Sequence, residues 1–218
     1  NPYISVINNI SHDHKSIAEL QQLFQNLGNR TKHAVVVNDD YETCRTITHQ
    51  HKITFSLQNP QADFYAENIR ALPHGTAYDL DGKTFTLKLI GRFNVANALA
   101  AIAICRHFKV DEEAIKKALL QAKVKGRIEM IKVSDQFTLL IDYAHNAMAL
   151  ESLLTTLREY EPHRLVSLFG CGGNRSRQRR FEMGEVSGRL ADLTIITSDN
   201  PRFEEPQDII NDIKTGMA

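Results

Sequence analysis

The feature that most constrains this chain is a regular alternation. Short apolar runs are followed by stretches of helical spacing, and the runs end in clusters of polar residues. From residue 137 the order is strand 137–142, helix 147–160, strand 164–169, a glycine turn, helix 180–190, strand 193–197 and helix 206–214. Strands separated by helices of about ten residues predict a parallel, doubly wound α/β sheet. Ligands in such sheets lie beyond the carboxyl ends of the strands. Polar clusters at those ends are therefore the first places to look for chemistry.

The first half alternates less regularly. Residues 3–7 read as a short buried strand. A helix over 16–27 follows from apolar residues at Ile17, Leu20, Leu23, Phe24 and Leu27. Ser16 with Glu19 predicts a capping box, and Gly28 is expected to close the helix. A β-branched strand, 34–37, leads into the turn Asn38-Asp39-Asp40. Residues 53–57 and the stretch 63–90 read as β-structure, with Asp81-Gly82 as a hairpin turn. Helices follow over 94–108 and over 111–122, with Asp111 as the second one's N-cap. A domain boundary is expected near residue 125. Both ends fall at regular elements, so the sequence reads as a piece of a longer protein.

Composition excludes several classes. Lys plus Arg number 26 and Asp plus Glu 26, so the net charge is zero and no nucleic-acid partner is expected. No apolar run reaches the roughly 18–20 residues that span a bilayer, so no membrane partner is expected either. Cys44, Cys105 and Cys171 form no C-x-x-C pair and suit a reducing, cytoplasmic setting.

Gly82-Lys83-Thr84 resembles the end of a phosphate-binding P-loop. That pattern needs a glycine where Ala77 stands and a helix where 84–87 is strand-like. The hairpin reading is preferred, and no P-loop is recognised. Four other clusters follow strands. Residues 8–14 contain His12, Asp13 and His14, types that hold divalent metals. Asp142-Tyr143-Ala144-His145-Asn146 ends the strand at 137–142. Gly170-Cys171-Gly172-Gly173-Asn174-Arg175 follows the strand at 164–169, and its glycines let backbone amides approach an anion. Arg175, Arg177, Arg179 and Arg180 concentrate positive charge there, and guanidinium suits carboxylate or phosphate. Asp199-Asn200-Pro201-Arg202 follows the strand at 193–197.

Taken in order, these segments resemble the Mur ligases. The motifs are Asn-Ile-Ser-x-Asp-His (9–14), Gly-Arg-Phe-Asn-Val-x-Asn-Ala (91–98), Gly-Arg-x-Glu (126–129), Asp-Tyr-Ala-His-Asn (142–146), Gly-Cys-Gly-Gly-Asn-Arg (170–175) and Ser-Asp-Asn-Pro-Arg (198–202). The set is most similar to the branch that adds the third amino acid to a UDP-N-acetylmuramoyl-dipeptide. Cyanophycin synthetase and folylpolyglutamate synthase are more distant relatives. The resemblance implies that residues 1–125 are the C-terminal part of a central ATPase domain. Residues 126–218 would be the first part of a Rossmann-like C-terminal domain. It also implies ATP and Mg2+, a UDP-N-acetylmuramoyl-peptide and an amino acid as substrates, and an N-terminal region of the same protein supplying the P-loop.

Residue by residue, the resemblance implies that His14 ligates magnesium. Asn94, Asn97, Arg127, Asp142, His145 and Asn146 would serve the nucleotide. Arg175, Asn200 and Arg202 would recognise the incoming amino acid, and Asp-Asn-Pro-Arg is the form typical of meso-diaminopimelate-adding enzymes. No catalytic residue is assigned. Two departures stand out. Phe24 falls where the family carries a carbamylated lysine, and the usual Gly-Asp-Arg-Asp loop reads Gly173-Asn174-Arg175-Ser176. An active ligase is the expected reading, inactive as this chain alone. The alternatives are a non-catalytic Mur-like protein that binds a nucleotide or a partner, or a ligase like cyanophycin synthetase or folylpolyglutamate synthase.

Overall fold

The computed structural model describes residues 1–11, 15–72, 75–131 and 133–217. The chain divides into two compact units, Asn1–Lys123 and Val124–Ala218.

The first unit is built on a parallel sheet in the order β1 (Ile4–Ile7), β2 (Ala34–Asn38), β3 (Lys52–Ser56) and β4 (Phe64–Tyr65). Helix α1 (Ile17–Arg30) connects the first two strands. Its start is as the sequence predicts: Ser16 accepts from the Glu19 amide, and the Glu19 carboxylate accepts from the Ser16 amide at 3.0 Å. Its end is not. Gly28 lies inside the helix, which runs two residues further, because Thr31 closes it. The Thr31 amide donates to Gly28 O and its hydroxyl donates to Leu27 O at 2.8 Å. One further turn of helix, α2 (Glu42–Arg45), follows β2 and has no periodic signature in the sequence.

The stretch 63–90, expected as β-structure, opens with two short strands. β4 closes the parallel sheet, and β5 (Glu67–Leu72) turns into an antiparallel sheet with β6 (Gly75–Leu80) and β7 (Lys83–Leu87). Asp81 and Gly82 join β6 to β7 with φ of 51° and 72°, the pair of positive values that a tight hairpin turn requires. This removes the P-loop resemblance at Gly82. Helix α3 (Arg92–His107) starts two residues earlier than expected, and α4 (Glu112–Gln121) begins at its Asp111 cap. Val95, Leu99, Ile102 and Ala103 of α3 pack with Val36, Phe55, Tyr78 and Phe85 into the main core.

The second unit opens with an antiparallel hairpin of β8 (Glu129–Ile131) and β9 (Leu139–Ile141). The strand expected over 137–142 is therefore β9, and it pairs with β8, which no apolar run announced, rather than entering a parallel sheet. Helix α5 (Ala147–Arg158) leads to β10 (Val166–Phe169), α6 (Gln178–Leu190), β11 (Leu193–Ile196) and α7 (Pro206–Gly216). β10 and β11 pair in parallel, Val166 opposite Leu193 and Leu168 opposite Ile195. Leu150, Leu154, Met183, Val186, Ile209 and Ile213 of the three helices close one core with Leu165 and Cys171. No helix among the described residues is long and apolar enough to cross a membrane.

Candidate functional site

The loops after β10 and β11 form one structure. Gly173 donates its amide to Asn200 O at 2.8 Å, and Thr197 donates to Phe169 O at 3.0 Å. A Cβ on Gly173 would lie 1.8 Å from Pro201 O, and one on Gly170 would lie 2.4 Å from Thr197 O. Only glycine permits this approach. The glycines therefore serve first to bring the two loops together. Arg202 crosses the junction, donating from Nη1 to Gly173 O at 2.8 Å, and the Phe203 amide donates to Asn174 Oδ1 at 3.1 Å.

Both loops hold a non-glycine residue in the left-handed region: Asn174 at φ 52° and Arg202 at φ 53°. Such backbone costs of order 1–3 kcal/mol for each residue and persists only where its surroundings fix it. Here an ion-pair cluster does so. Arg180 is 2% exposed and donates to Glu204 at 2.7 Å and to Asp212 at 2.9 Å. Glu204 also accepts the Asn174 amide. Arg177 donates to both Asp212 oxygens, at 2.9 and 2.7 Å. The Arg180 hydrogen bond, then the Asn174 amide, holds the Glu204 carboxyl below its ordinary pKa. Arg177, then Arg180, does the same for Asp212 against the opposing effect of burial.

This corrects the expectation of four arginines presenting a joint positive surface. Arg177 and Arg180 are neutralised by carboxylates 35 and 32 residues away. Arg175 is exposed and forms no ion pair among the described residues. Arg175, Asn200 and Arg202 thus belong to one exposed platform. Cys171 is buried beneath it, its Sγ 3.8 Å from Met183 Sδ, and burial pushes its thiol up to about 11. It is a packing residue, not a nucleophile.

At the end of β9, Asp142 accepts from the amides of Ile128 and Ala144, each at 2.8 Å. Asn146 caps α5 by accepting from Ala149 at 2.9 Å. Both side chains are engaged in shaping the loop. The groups left facing outward are Arg127, Tyr143 and His145. The Arg127 guanidinium lies 4.8 Å from the centre of the Tyr143 ring, and the His145 ring meets Tyr143 edge-on at 5.2 Å. Tyr143 was assigned no role from the sequence, although its place inside the polar cluster 142–146 after an apolar run was the available signal.

In the first unit Asn94 is buried, its amide donating to Ile90 O at 2.8 Å. Asn97 accepts from Asn8 at 3.1 Å, which ties α3 to the loop following β1. At the ends of β2 and β3, Asp40 accepts from the Ser56 hydroxyl and the Leu57 amide, and Asp39 accepts from Asn59. His14 lies outside the described residues. Among the described residues no group of three or more His, Cys, Asp or Glu side chains is arranged to hold a metal ion. Phe24 packs against the cluster of Ile7, Ile10, Val35, Val37, Cys44 and Ile47.

Parallel strands ending in paired polar loops define an α/β protein, a class in which ligands lie beyond the carboxyl ends of the strands. Family comparison is more specific. Residues 1–105 match the Mur ligase middle domain, and residues 126–218 match the Mur ligase glutamate ligase domain. The chain belongs to the Mur ligase family. It is 37% identical to the UDP-N-acetylmuramoyl-L-alanyl-D-glutamate–2,6-diaminopimelate ligase of Listeria monocytogenes serotype 4b, over 98% of this chain and 48% of that protein. It is 42% identical to the protein of that name from Alkaliphilus oremlandii, over 76% of this chain and 35% of that protein. The chain therefore spans half or less of the length of these curated relatives.

Among solved structures, one of such a diaminopimelate ligase matches 99% of this chain and 47% of its own, at a TM-score of 0.63 and 29% identity. Folylpolyglutamate synthase of Mycobacterium tuberculosis matches 98% of this chain and 52% of its own, at a TM-score of 0.79 and 18% identity. That second likeness is one of fold.

Proposed function

We propose that this chain is part of an ATP-dependent amide-bond ligase that adds meso-diaminopimelate to a UDP-N-acetylmuramoyl-dipeptide in peptidoglycan precursor synthesis, in the cytoplasm. The observation that carries the reading is 37% identity, across 98% of the chain, to a ligase named for that reaction. Residues 1–125 would be the later part of the central ATP-binding domain and 126–218 the first part of the C-terminal domain. The rest of the protein would supply the P-loop.

In this reading a substrate carboxylate attacks the γ-phosphorus of ATP, the bond to the β,γ-bridging oxygen breaks, ADP leaves and the carboxylate becomes an acyl phosphate. The amine of the incoming amino acid then displaces phosphate. The task of this chain is to position the reactants. Arg127, stacked on Tyr143, offers a flat cationic surface to the nucleotide, with His145 beside it. Asp142 and Asn146 hold that loop through backbone amides. Asn94 and Asn97 fix the start of α3 on the adenine side of the central domain. Arg175, Asn200 and Arg202 receive the amino acid, a guanidinium being the group that matches a carboxylate with two parallel hydrogen bonds. Magnesium would neutralise phosphate charge, with His14 as one ligand by family resemblance. The described residues provide no ligand set, so no step here is assigned to the metal.

The test is phosphate release by the intact protein that carries this chain, supplied with ATP, Mg2+, UDP-N-acetylmuramoyl-L-alanyl-D-glutamate and diaminopimelate. Release should require all four. A protein that binds ATP yet releases no phosphate when the amino acid is added would contradict the proposal. It would favour the second reading, a non-catalytic binding protein. That reading is motivated by Phe24, an apolar core residue at the position matched to the family's modified lysine.

A further inference from the structure

Phe203 follows Arg202 on the loop after β11 and is 95% exposed. A lone apolar side chain in water is ordinary. The backbone beneath this one is not. Its own amide donates to Asn174 Oδ1 at 3.1 Å. The preceding residue is held at φ 53°, with its amide donating to Asn200 Oδ1 at 3.3 Å. The following residue, Glu204, donates its amide to Pro201 O at 3.0 Å and is paired with buried Arg180. Every residue from Asn200 to Glu204 is thus tied either within the turn or to the glycine loop. The loop presents a guanidinium held on Gly173 O and, on an anchored backbone, an exposed aromatic ring as its sequence neighbour.

The relatives' names supply the chemistry to compare with this pair. Diaminopimelate has two amino-acid ends joined by three methylenes. Groups that bind only the charged ends leave the methylenes in water. Each methylene removed from water is worth roughly four-fold in affinity.

We propose that Phe203 is a specificity-determining residue whose ring forms the apolar wall against which the methylene chain of the incoming diamino acid lies, while Arg202 takes the carboxylate at the far end. This rests on the function proposed above. It divides recognition in two: the ring reads chain length, and the guanidinium reads the distal charge.

The experiment uses the intact protein and two ligands. Diaminopimelate is the substrate, and lysine is a competitor that keeps the amine-bearing end and the chain but lacks the distal carboxylate. Phe203→Ala should raise the KM for diaminopimelate and the inhibition constant for lysine alike, each roughly ten-fold, this being the partial loss of contact with three methylenes. The KM for ATP and the thermal midpoint should not move, since an exposed ring contributes little to folding. Phe203→Tyr should restore both constants. Arg202→Ala should weaken diaminopimelate and leave lysine unchanged. A Phe203→Ala protein with wild-type constants for both ligands overturns the inference and leaves the proposed function standing. So does one that loses ATP affinity and stability together, since that marks a general structural role. A wild-type protein that ligates no diaminopimelate overturns both.

Discussion

The central strands of the two units differ in how they are covered. In the first unit all five residues of β2 are buried, alternate side chains facing the α3 core on one side and the α1 cluster on the other. In the second unit the helices cover one face. Val166, Leu168, Leu193 and Ile195 form an aligned apolar row on the other, Leu168 being 65% exposed. Parallel strands are normally buried on both sides. The function proposed above makes residues 126–218 only the first part of their domain, so this apolar row is a face open to the rest of the protein. What these residues fix by themselves is the strand ends, through glycine contacts and buried ion pairs. Those same contacts build the candidate site.

The largest expected effect sharpens this contrast. Leu99→Ala, at a fully buried position of α3, should cost the first unit about 2–5 kcal/mol. Amide exchange in β2 and α3 should accelerate accordingly. Gly173→Ala should cost the second unit about 1–3 kcal/mol, because its Cβ meets backbone rather than a side chain that can move. Exchange should quicken at the Gly173 amide and in the loop after β11. Native-like protection there would break the argument that close backbone approach holds the site together.

Acid should act next. Glu204 and Asp212 have carboxyls below their ordinary pKa. The stability they contribute is complete above the unfolded value near pH 4 and is lost as pH falls through their lower folded values. Unfolding curves between pH 7 and pH 3 should therefore show the second unit weakening below about pH 4. Asp212→Asn should be weaker at pH 7 and change less over that interval. The smallest effect belongs to the open face: in the chain of 218 residues alone, Leu168→Ala should alter stability by no more than about 0.5 kcal/mol, measured by the same exchange experiment. A loss as large as that of Leu99→Ala would mean that the face is covered.

Much of the fold was legible because its signals are local. The Ser16–Glu19 cap, the Asp81-Gly82 turn and the strand–helix alternation each depend on residues within a few positions of one another. The misses are of two kinds. Helix α2 is one turn long and carries no period, and the end of α1 was decided by Thr31 rather than by Gly28. At the site, the sequence showed the glycines and the arginines but not their partners. Arg180 is assigned its role by Glu204 and Asp212, 24 and 32 residues away. Asp142 and Asn146 were visible as polar residues, but not as acceptors for the backbone. Proximity of that kind is set by the packing of α6 on α7, which no local pattern reports.

The most direct test of the account is a crystal structure of the intact protein with diaminopimelate bound. The distal carboxylate is expected within hydrogen-bonding distance of the Arg202 guanidinium, on the platform formed by Asn200 and Arg175. Diaminopimelate bound away from the joined loops after β10 and β11 would contradict it.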